Sequence, residues 1–279
     1  MAKSASAGLT DKAVVLARGL GVRMRQDDIS AVLTPQQAQA ADAGAKAMMP
    51  MPTGRPLMDY VLGALADAGY RRACLVIGPE HQAVREHYDR TYRPRRIAVE
   101  FAVQEEPLGT ADAVLAAEGF AAGGVFAVIN GDNYYPVEVL HSLRQLARCG
   151  LAAFTAEGLT RGNIPADRVA RFAVLEVGPS GLLSRIHEKP DEATMRSFRE
   201  PPPVSMNCWR FGPSIFHACR EVKPSLRGEL ELTSAVQFAI DHLGEAFEVL
   251  RFDLPVLDLS CRGDIASMAR SLRGVQVRL

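Results

Sequence analysis

Ala13-Val14-Val15-Leu16-Ala17-Arg18-Gly19-Leu20-Gly21-Val22-Arg23-Met24 is the stretch whose reading decides the fold. Residues 13–17 are apolar without interruption, and two glycines follow closely. A run this short and this uniformly apolar predicts a strand buried on both faces, the kind found inside parallel sheets. The glycines predict a tight turn at its carboxyl end, where backbone N–H groups can come close to an anion. Ligands of open parallel sheets sit beyond such carboxyl ends.

The chain on either side of this stretch repeats the pattern. Residues 26–45 are rich in Ala and Gln and predict a loop or lid carrying a short helix over 35–45. Apolar residues at 57, 60, 61, 64, 65 and 68 predict a helix over 56–69 that stops on Gly69. Strands are expected at 73–77, 97–103, 124–129 and 151–155, with helices at 79–88, 110–117 and 137–149 between them. Alternation of this kind means a mostly parallel sheet with helices on both faces. Beyond about Val169 the pattern shifts to strands at 170–177, 182–187 and 206–211, then a helix at 233–243. The expected class is therefore α/β, a three-layer α/β/α arrangement with a mixed, mostly parallel sheet and a small subregion inserted in the C-terminal half. One domain over 1–279 is expected, divided near residue 155.

Composition narrows the function. The chain has 279 residues, 48% of them apolar and 23% charged, an ordinary globular mixture. Lys and Arg number 32, and so do Asp and Glu, which removes the usual electrostatic case for nucleic-acid or anionic-membrane partners. No apolar run approaches the roughly 18 residues of a membrane span. The start, MAKSASAGLTDK (1–12), has no apolar segment before a cleavage site, so a cytoplasmic location is expected. Five scattered cysteines without a CxxC pair read as reduced thiols, and the six histidines form no metal-ligand spacing.

Polar clusters follow several of the expected strands. Arg18 and Arg23 flank the Gly19/Gly21 turn. Gln104-Glu105-Glu106-Pro107-Leu108-Gly109-Thr110-Ala111-Asp112 offers an amide suited to a base edge and a glycine turn entering a helix. Asn130-Gly131-Asp132-Asn133 and Val256-Leu257-Asp258 each put an acid after a strand, where it can hold Mg²⁺. His187-Glu188-Lys189-Pro190 and Arg227-Gly228-Glu229-Leu230-Glu231-Leu232-Thr233 supply further cations for a second phosphate, with Glu188 an acceptor for sugar hydroxyls. Taken singly, each of these is as readily a turn or a solvated charge.

Their order along the chain resembles the sugar-1-phosphate nucleotidyltransferases. The resemblance runs from about Lys12 to Met268 and rests on Leu16-Ala17-x-Gly19-Leu20-Gly21-x-Arg23-Met24, Lys46-Ala47-Met48-Met49-Pro50, Gly54-Arg55-Pro56-Leu57, Gln104 with Pro107-Leu108-Gly109-Thr110-Ala111-Asp112, Gly131-Asp132-Asn133, Glu188-Lys189-Pro190, the Arg227–Thr233 run and Asp258. It implies a Rossmann-like fold with a sugar-binding subregion, a nucleotide-binding half over about 12–155 and a sugar-phosphate-binding half over about 156–268. It implies Arg23 and Lys46 at the triphosphate and Asp132 and Asp258 on an essential Mg²⁺. Leu16, Ala17, Gly19, Gly21, Gln104 and Gly109 would form the nucleotide site. Glu188, Lys189 and Arg227 would hold the sugar 1-phosphate. The implied partners are a nucleoside triphosphate, with UTP or dTTP favoured, and a hexose 1-phosphate; a homo-oligomer is compatible with it. The C-terminal β-helix of some members is not expected, since eleven residues follow Met268.

Two departures stand out. Arg18 and Val22 replace the small residue and the hydroxyl usual in the family's glycine loop, which motivates an alternative reading as a non-catalytic nucleotide-sugar-binding regulator. The 26–45 segment is longer than the family's usual link, and Ala173 stands where many members have a glycine near the sugar.

Overall fold

A computed structural model describes residues 9–29, 31–225 and 227–279, so the expectation made from the first residues of the chain lies outside the described part. β1 (Lys12–Leu16) lies near the middle of the sheet. It pairs in parallel with β2 (Arg72–Ile77) on one side and β4 (Phe126–Asn130) on the other, while β3 (Ala98–Val103) extends the sheet beyond β2 in parallel. Consecutive residues of β1 feed opposite faces: Ala13 and Val15 enter one apolar cluster, and Val14 enters the other. That double burial is why the run is apolar throughout.

The helix Leu57–Asp67 covers the first face with ten consecutive buried residues, Leu57 to Ala66. Helices Thr110–Ala116, Ser214–Glu221 and Leu232–Leu243 cover the second. Beyond β4 the sheet continues through antiparallel β9 (Val204–Phe211), then β6 (Gly150–Phe154) and β10 (Glu248–Phe252), which run parallel to each other. A β7 (Val174–Val177) and β8 (Leu183–His187) hairpin hangs from β9. A separate antiparallel pair joins β5 (Asn133–Tyr134) to β11 (Leu257–Asp258). The architecture is the mixed, mostly parallel, helix-covered sheet expected from the sequence.

Local departures have local causes. The helix expected over 137–149 ends at Gln145, because Leu146 turns to ψ 141°. The strand expected from 170 begins at Val174, because Ala166–Val169 forms a helical turn closed by Ala170 N–H donating to Ala166. The helix in the 26–45 segment spans Pro35–Asp42 and is started by a capping box between Thr34 and Gln37.

Candidate functional site: a cleft at the carboxyl ends of β1–β4

The chain order reverses around β1: β2 and β3 lie to one side, and β4 to the other. Loops after all four strands diverge there and leave a crevice, the position where parallel sheets take ligands. The cleft has a volume of about 460 Å³. Leu16, Ala17, Gly19, Gly21 and Arg23 come to it from β1 and its loop, Gln104 and Gly109 from β3, Asp132 from β4, and Lys46 from the 44–48 segment. Nine of the residues singled out in the sequence thus meet in one place. Arg18, Arg23 and Lys46 face Asp132 and Glu229 among the ionised side chains lining it, an excess of positive charge suited to a polyanion.

The glycines differ in what they do. Gly21 has φ 61°, and a Cβ there would lie 2.5 Å from the carbonyl oxygen of Gly44, itself at φ 69°. Two bare backbones therefore touch, and this contact brings the end of the long 26–45 segment back against the loop, two residues before Lys46. Arg262 fastens the same segment from behind, donating to the Met24 carbonyl at 3.0 Å and to Asp42 at 2.6 Å. Gly19 is the opposite case: a Cβ there would meet no protein atom within 4 Å, so the loop leaves open space at that point.

Lys46 Nζ donates to Asp132 Oδ2 at 2.9 Å, with the two side chains 14% and 30% exposed. Each half-neutralises the other at the β4 side of the cleft. On the β3 side, Gln104 is buried, and its Nε2 donates to the Gly109 carbonyl at 3.0 Å and to Asp112 Oδ2 at 2.8 Å. Both partners are acceptors, so the amide is oriented with Oε1 as the atom left for a ligand.

Asp258 is brought beside Asp132 but behind the cleft wall. In the β5–β11 pair it lies opposite Asn133, and Leu259 N–H donates to the Asp132 carbonyl at 2.9 Å. Its side chain is 8% exposed and is not among the residues lining the cleft. Oδ1 accepts from Asn133 at 3.0 Å; Oδ2 accepts from Ser260 at 2.7 Å and Arg168 at 2.8 Å. Arg168 also pairs with Asp264 at 2.7 Å. Neither Arg168 nor Asp264 was singled out by the sequence reading. An arginine paired with acids 90 and 96 residues further along leaves no local signal.

Burial, and after it the charge of Asp132, hold the Asp258 carboxyl above the ordinary carboxylate range, against the pull of Ser260 and Arg168. An acid raised in the native state binds its proton more tightly folded than unfolded. Stability therefore falls as pH rises from about 3.9, the unfolded aspartate value, through the native pKa, and stays lowered above it. Asp258→Asn removes that titration. Relative to wild type, the variant is expected to gain stability across that window and keep the gain at neutral pH. Denaturant titrations from about pH 4 to 8 check this; a difference that shrinks with rising pH contradicts it.

The three residues expected at a second phosphate lie outside the cleft lining. Arg227 is half exposed and turned onto Glu231 at 2.5 Å. Glu188 is exposed and accepts from Thr233 Oγ1 at 2.7 Å. Lys189 is exposed at φ 44°. Instead the C-terminal half reaches the cleft through Glu229 and Asn207. Asn207 has φ 53° and sits where the β6–β9 register shifts, so a bulge turns it out of an otherwise buried strand. A lone Asn inside such a strand was the available signal. His81, after β2, was also missed. Its Nδ1 accepts from Gly78 N–H at 3.1 Å, leaving Nε2 to carry the proton, and burial holds its pKa below the ordinary value.

An α/β sheet with a cationic, glycine-floored cleft at its reversal point defines a nucleotide- or phosphate-handling protein. The family model described as nucleotidyl transferase matches residues 12–254, and the chain belongs to that family, within its sugar-1-phosphate branch. A UTP–glucose-1-phosphate uridylyltransferase of Haloferax volcanii is 30% identical over 251 residues, covering 89% of this chain and 90% of its own length. A glucose-1-phosphate thymidylyltransferase of Streptomyces griseus is 29% identical over 82% of this chain, which spans 57% of that relative. In fold, the chain is similar to a UDP-glucose pyrophosphorylase crystallised with UDP-glucose. The TM-score is 0.72, with 18% identity, over 96% of this chain and 100% of the other. Among the described residues no helix is long and apolar enough to cross a membrane.

Proposed function

We propose that the chain joins a nucleoside triphosphate, UTP or dTTP, to a hexose 1-phosphate, giving a nucleotide-diphospho-sugar and pyrophosphate. The observation that carries this reading is the Lys46–Asp132 pair at 2.9 Å in the same cleft as the Gly19–Gly21 loop, Arg23 and Gln104. A phosphate oxygen of the sugar phosphate attacks the α-phosphorus in line, and pyrophosphate leaves. The attacking oxygen is already ionised, so the work of the protein is alignment and charge neutralisation rather than proton transfer.

In this reading the Gly19 backbone lets the triphosphate approach, while Arg23 and Lys46 face charge gathering on the α-phosphate and the leaving pyrophosphate. Gln104 Oε1 and the backbone at Gly109 meet the base. Lys189 and Arg227 meet the second phosphate, with Glu188 on the sugar hydroxyls; Asn207 and Glu229 join them at the cleft wall. For Arg227 this requires exchanging Glu231 for the phosphate. The donor set fits Mg²⁺: Asp132, in the cleft, and Asp258, opposite the neighbouring Asn133, are two carboxylates close enough that, after burial, the charge of Asp132 still raises Asp258 in spite of Lys46 and Arg168. Asp132, and Asp258 behind it, would hold the ion, which when bound neutralises phosphate charge and orients the phosphates.

Pyrophosphate release, assayed with Mg²⁺ over a panel of triphosphates and sugar 1-phosphates, tests the proposal. Turnover is expected with UTP or dTTP. A second reading, a non-catalytic nucleotide-sugar-binding regulator, is favoured by the full set of protein hydrogen bonds on Asp258. Nucleotide-sugar binding without turnover in any combination selects it. Lys189→Ala is expected to raise the sugar-phosphate KM about tenfold while leaving the triphosphate KM within about twofold, as loss of one charge-assisted contact predicts. Equal effects on both would move the second phosphate elsewhere.

A further inference from the structure

The two edges of the sheet differ. At one, β10 is closed off: Val249 N–H donates to the Gly181 carbonyl at 3.1 Å, and Leu182 bridges to Glu248. At the other, no strand lies beyond β3 among the described residues. The bonds at the two ends of its pairing with β2 run from Ala98 N–H to Arg71 at 2.8 Å and from Gln104 N–H to Ile77 at 2.9 Å. Both donors are even-numbered residues. Alternation along a strand therefore turns the N–H and C=O groups of Val99, Phe101 and Val103 outward. Among the described residues none of these groups has a hydrogen-bond partner.

Ala98-Val99-Glu100-Phe101-Ala102-Val103 has the composition of an interior strand. Its single charge is turned back onto its own sheet, where Glu100 Oε1 accepts from Arg72 at 2.7 Å. It carries none of the devices that keep solvent-facing edges from pairing, neither Lys nor Pro nor a bulge. Val99, Phe101 and Val103 are nonetheless partly exposed. The flanks fix the direction of a partner. Arg93 and Arg95 before the strand, and Glu105 and Glu106 after it, are exposed, and among the described residues none of the four is in an ion pair. A parallel copy would set arginine beside arginine, whereas an antiparallel one sets each basic end against an acidic end. At the basic end a groove of about 340 Å³, lined by Tyr88, Asp89, Arg93, Pro94 and Val99, leaves room for the glutamates of a second copy.

We propose that the β3 edge is the surface on which a second copy of this chain docks, the two β3 strands pairing antiparallel about a two-fold axis at Phe101 to form one sheet across a dimer. Centring on Phe101 matches Val99 with Val103 and sets Glu100 opposite Ala102, so the two Glu100 carboxylates do not face each other. The surface is thus self-complementary, as a two-fold interface must be. The outward backbone groups gain partners, three apolar side chains leave water, and arginines meet glutamates at both ends. This assembly does not depend on the chemistry proposed for the cleft.

Analytical ultracentrifugation of the full chain over a range of concentrations tests this. Wild type is expected to sediment as a dimer at micromolar concentration and to dissociate on dilution. Val99→Lys puts a charge on the pairing edge and is expected to raise the dimer Kd at least about tenfold. Arg95→Glu and Glu106→Arg change exposed side chains that pair with nothing within one chain, so they guard against a folding effect. Each alone is expected to raise the Kd about tenfold, and the two combined to return it to within about threefold of wild type. A wild-type chain that stays monomeric up to about 100 μM overturns the proposal. So does a dimer whose Kd none of these variants changes, because the copies then meet on another face. A combined variant no tighter than the single ones overturns the antiparallel pairing.

Discussion

Asp132→Asn is expected to lower kcat by about 10²-fold or more, with the fold unchanged. Asp132 comes from the loop that closes β4, its Oδ2 holds Lys46 at 2.9 Å, and its backbone carbonyl anchors Leu259 beside Asp258. The substitution keeps the shape and the backbone contact, so it removes charge alone. Two things follow from that loss: the cleft holds a divalent cation less well, and Lys46 loses its charged partner. The ion pair is partly solvated, so stability is expected to move by no more than about 1 kcal/mol. Turnover in the pyrophosphate assay and Tm measured with and without Mg²⁺ and UTP separate these effects. The rise in Tm that Mg²⁺ with UTP gives wild type is expected to be largely lost in the variant. A variant that turns over at the wild-type rate removes Asp132 from the reaction.

Gly109→Ala is the substitution expected to damage structure and binding together. Gly109 has φ 123°, a region that side chains avoid, and an added Cβ would lie 2.5 Å from Leu230 O and 2.6 Å from Leu230 N. Both obstacles are backbone and neither can rotate away. The two segments are also laced together: Leu230 N–H donates to Leu108 at 2.7 Å, and Ala111 N–H to Leu230 at 2.8 Å. Strain of this kind costs about 1–3 kcal/mol before the clash is counted, so a loss of about 3 kcal/mol or more is expected in denaturant unfolding. The Gly109 carbonyl accepts from Gln104, so any relief by backbone movement displaces the residue proposed to meet the base. Gly19→Ala gives the contrast. Its Cβ meets no protein atom within 4 Å, so stability is expected to stay within about 0.5 kcal/mol while the triphosphate KM rises severalfold. If Gly19→Ala destabilises the protein as much as Gly109→Ala does, the open space at Gly19 is not a ligand's.

Local patterning made much of this legible. The 13–17 run told of a doubly buried central strand because alternate residues of β1 do enter both apolar clusters. The glycine loop, Gln104, Gly109 and Asp132 were found because each directly follows a strand, and a parallel sheet gathers the carboxyl ends of its strands in one place. Lys46 was harder to place. Its segment follows a long insertion, and the contact of Gly21 with Gly44, with Arg262 bridging Met24 and Asp42 behind it, carries it back to the cleft.

What the sequence determined by itself was the fold class, the central strand and the set of cleft-lining residues carried on strand ends, because those depend on periodicity and short spacing. The tertiary structure alone decided which of the remaining charges are engaged and with what. It seated Asp258 behind the cleft wall under Arg168, turned Arg227 onto Glu231, pushed Asn207 inward at a bulge, and left two donors of Arg18 buried without partners. The physical reason is that an ionised side chain acts according to the partners and the water it can reach. Those partners lie 87 residues away for Arg18 and 90 for Arg168, a separation that only the packed sheet closes.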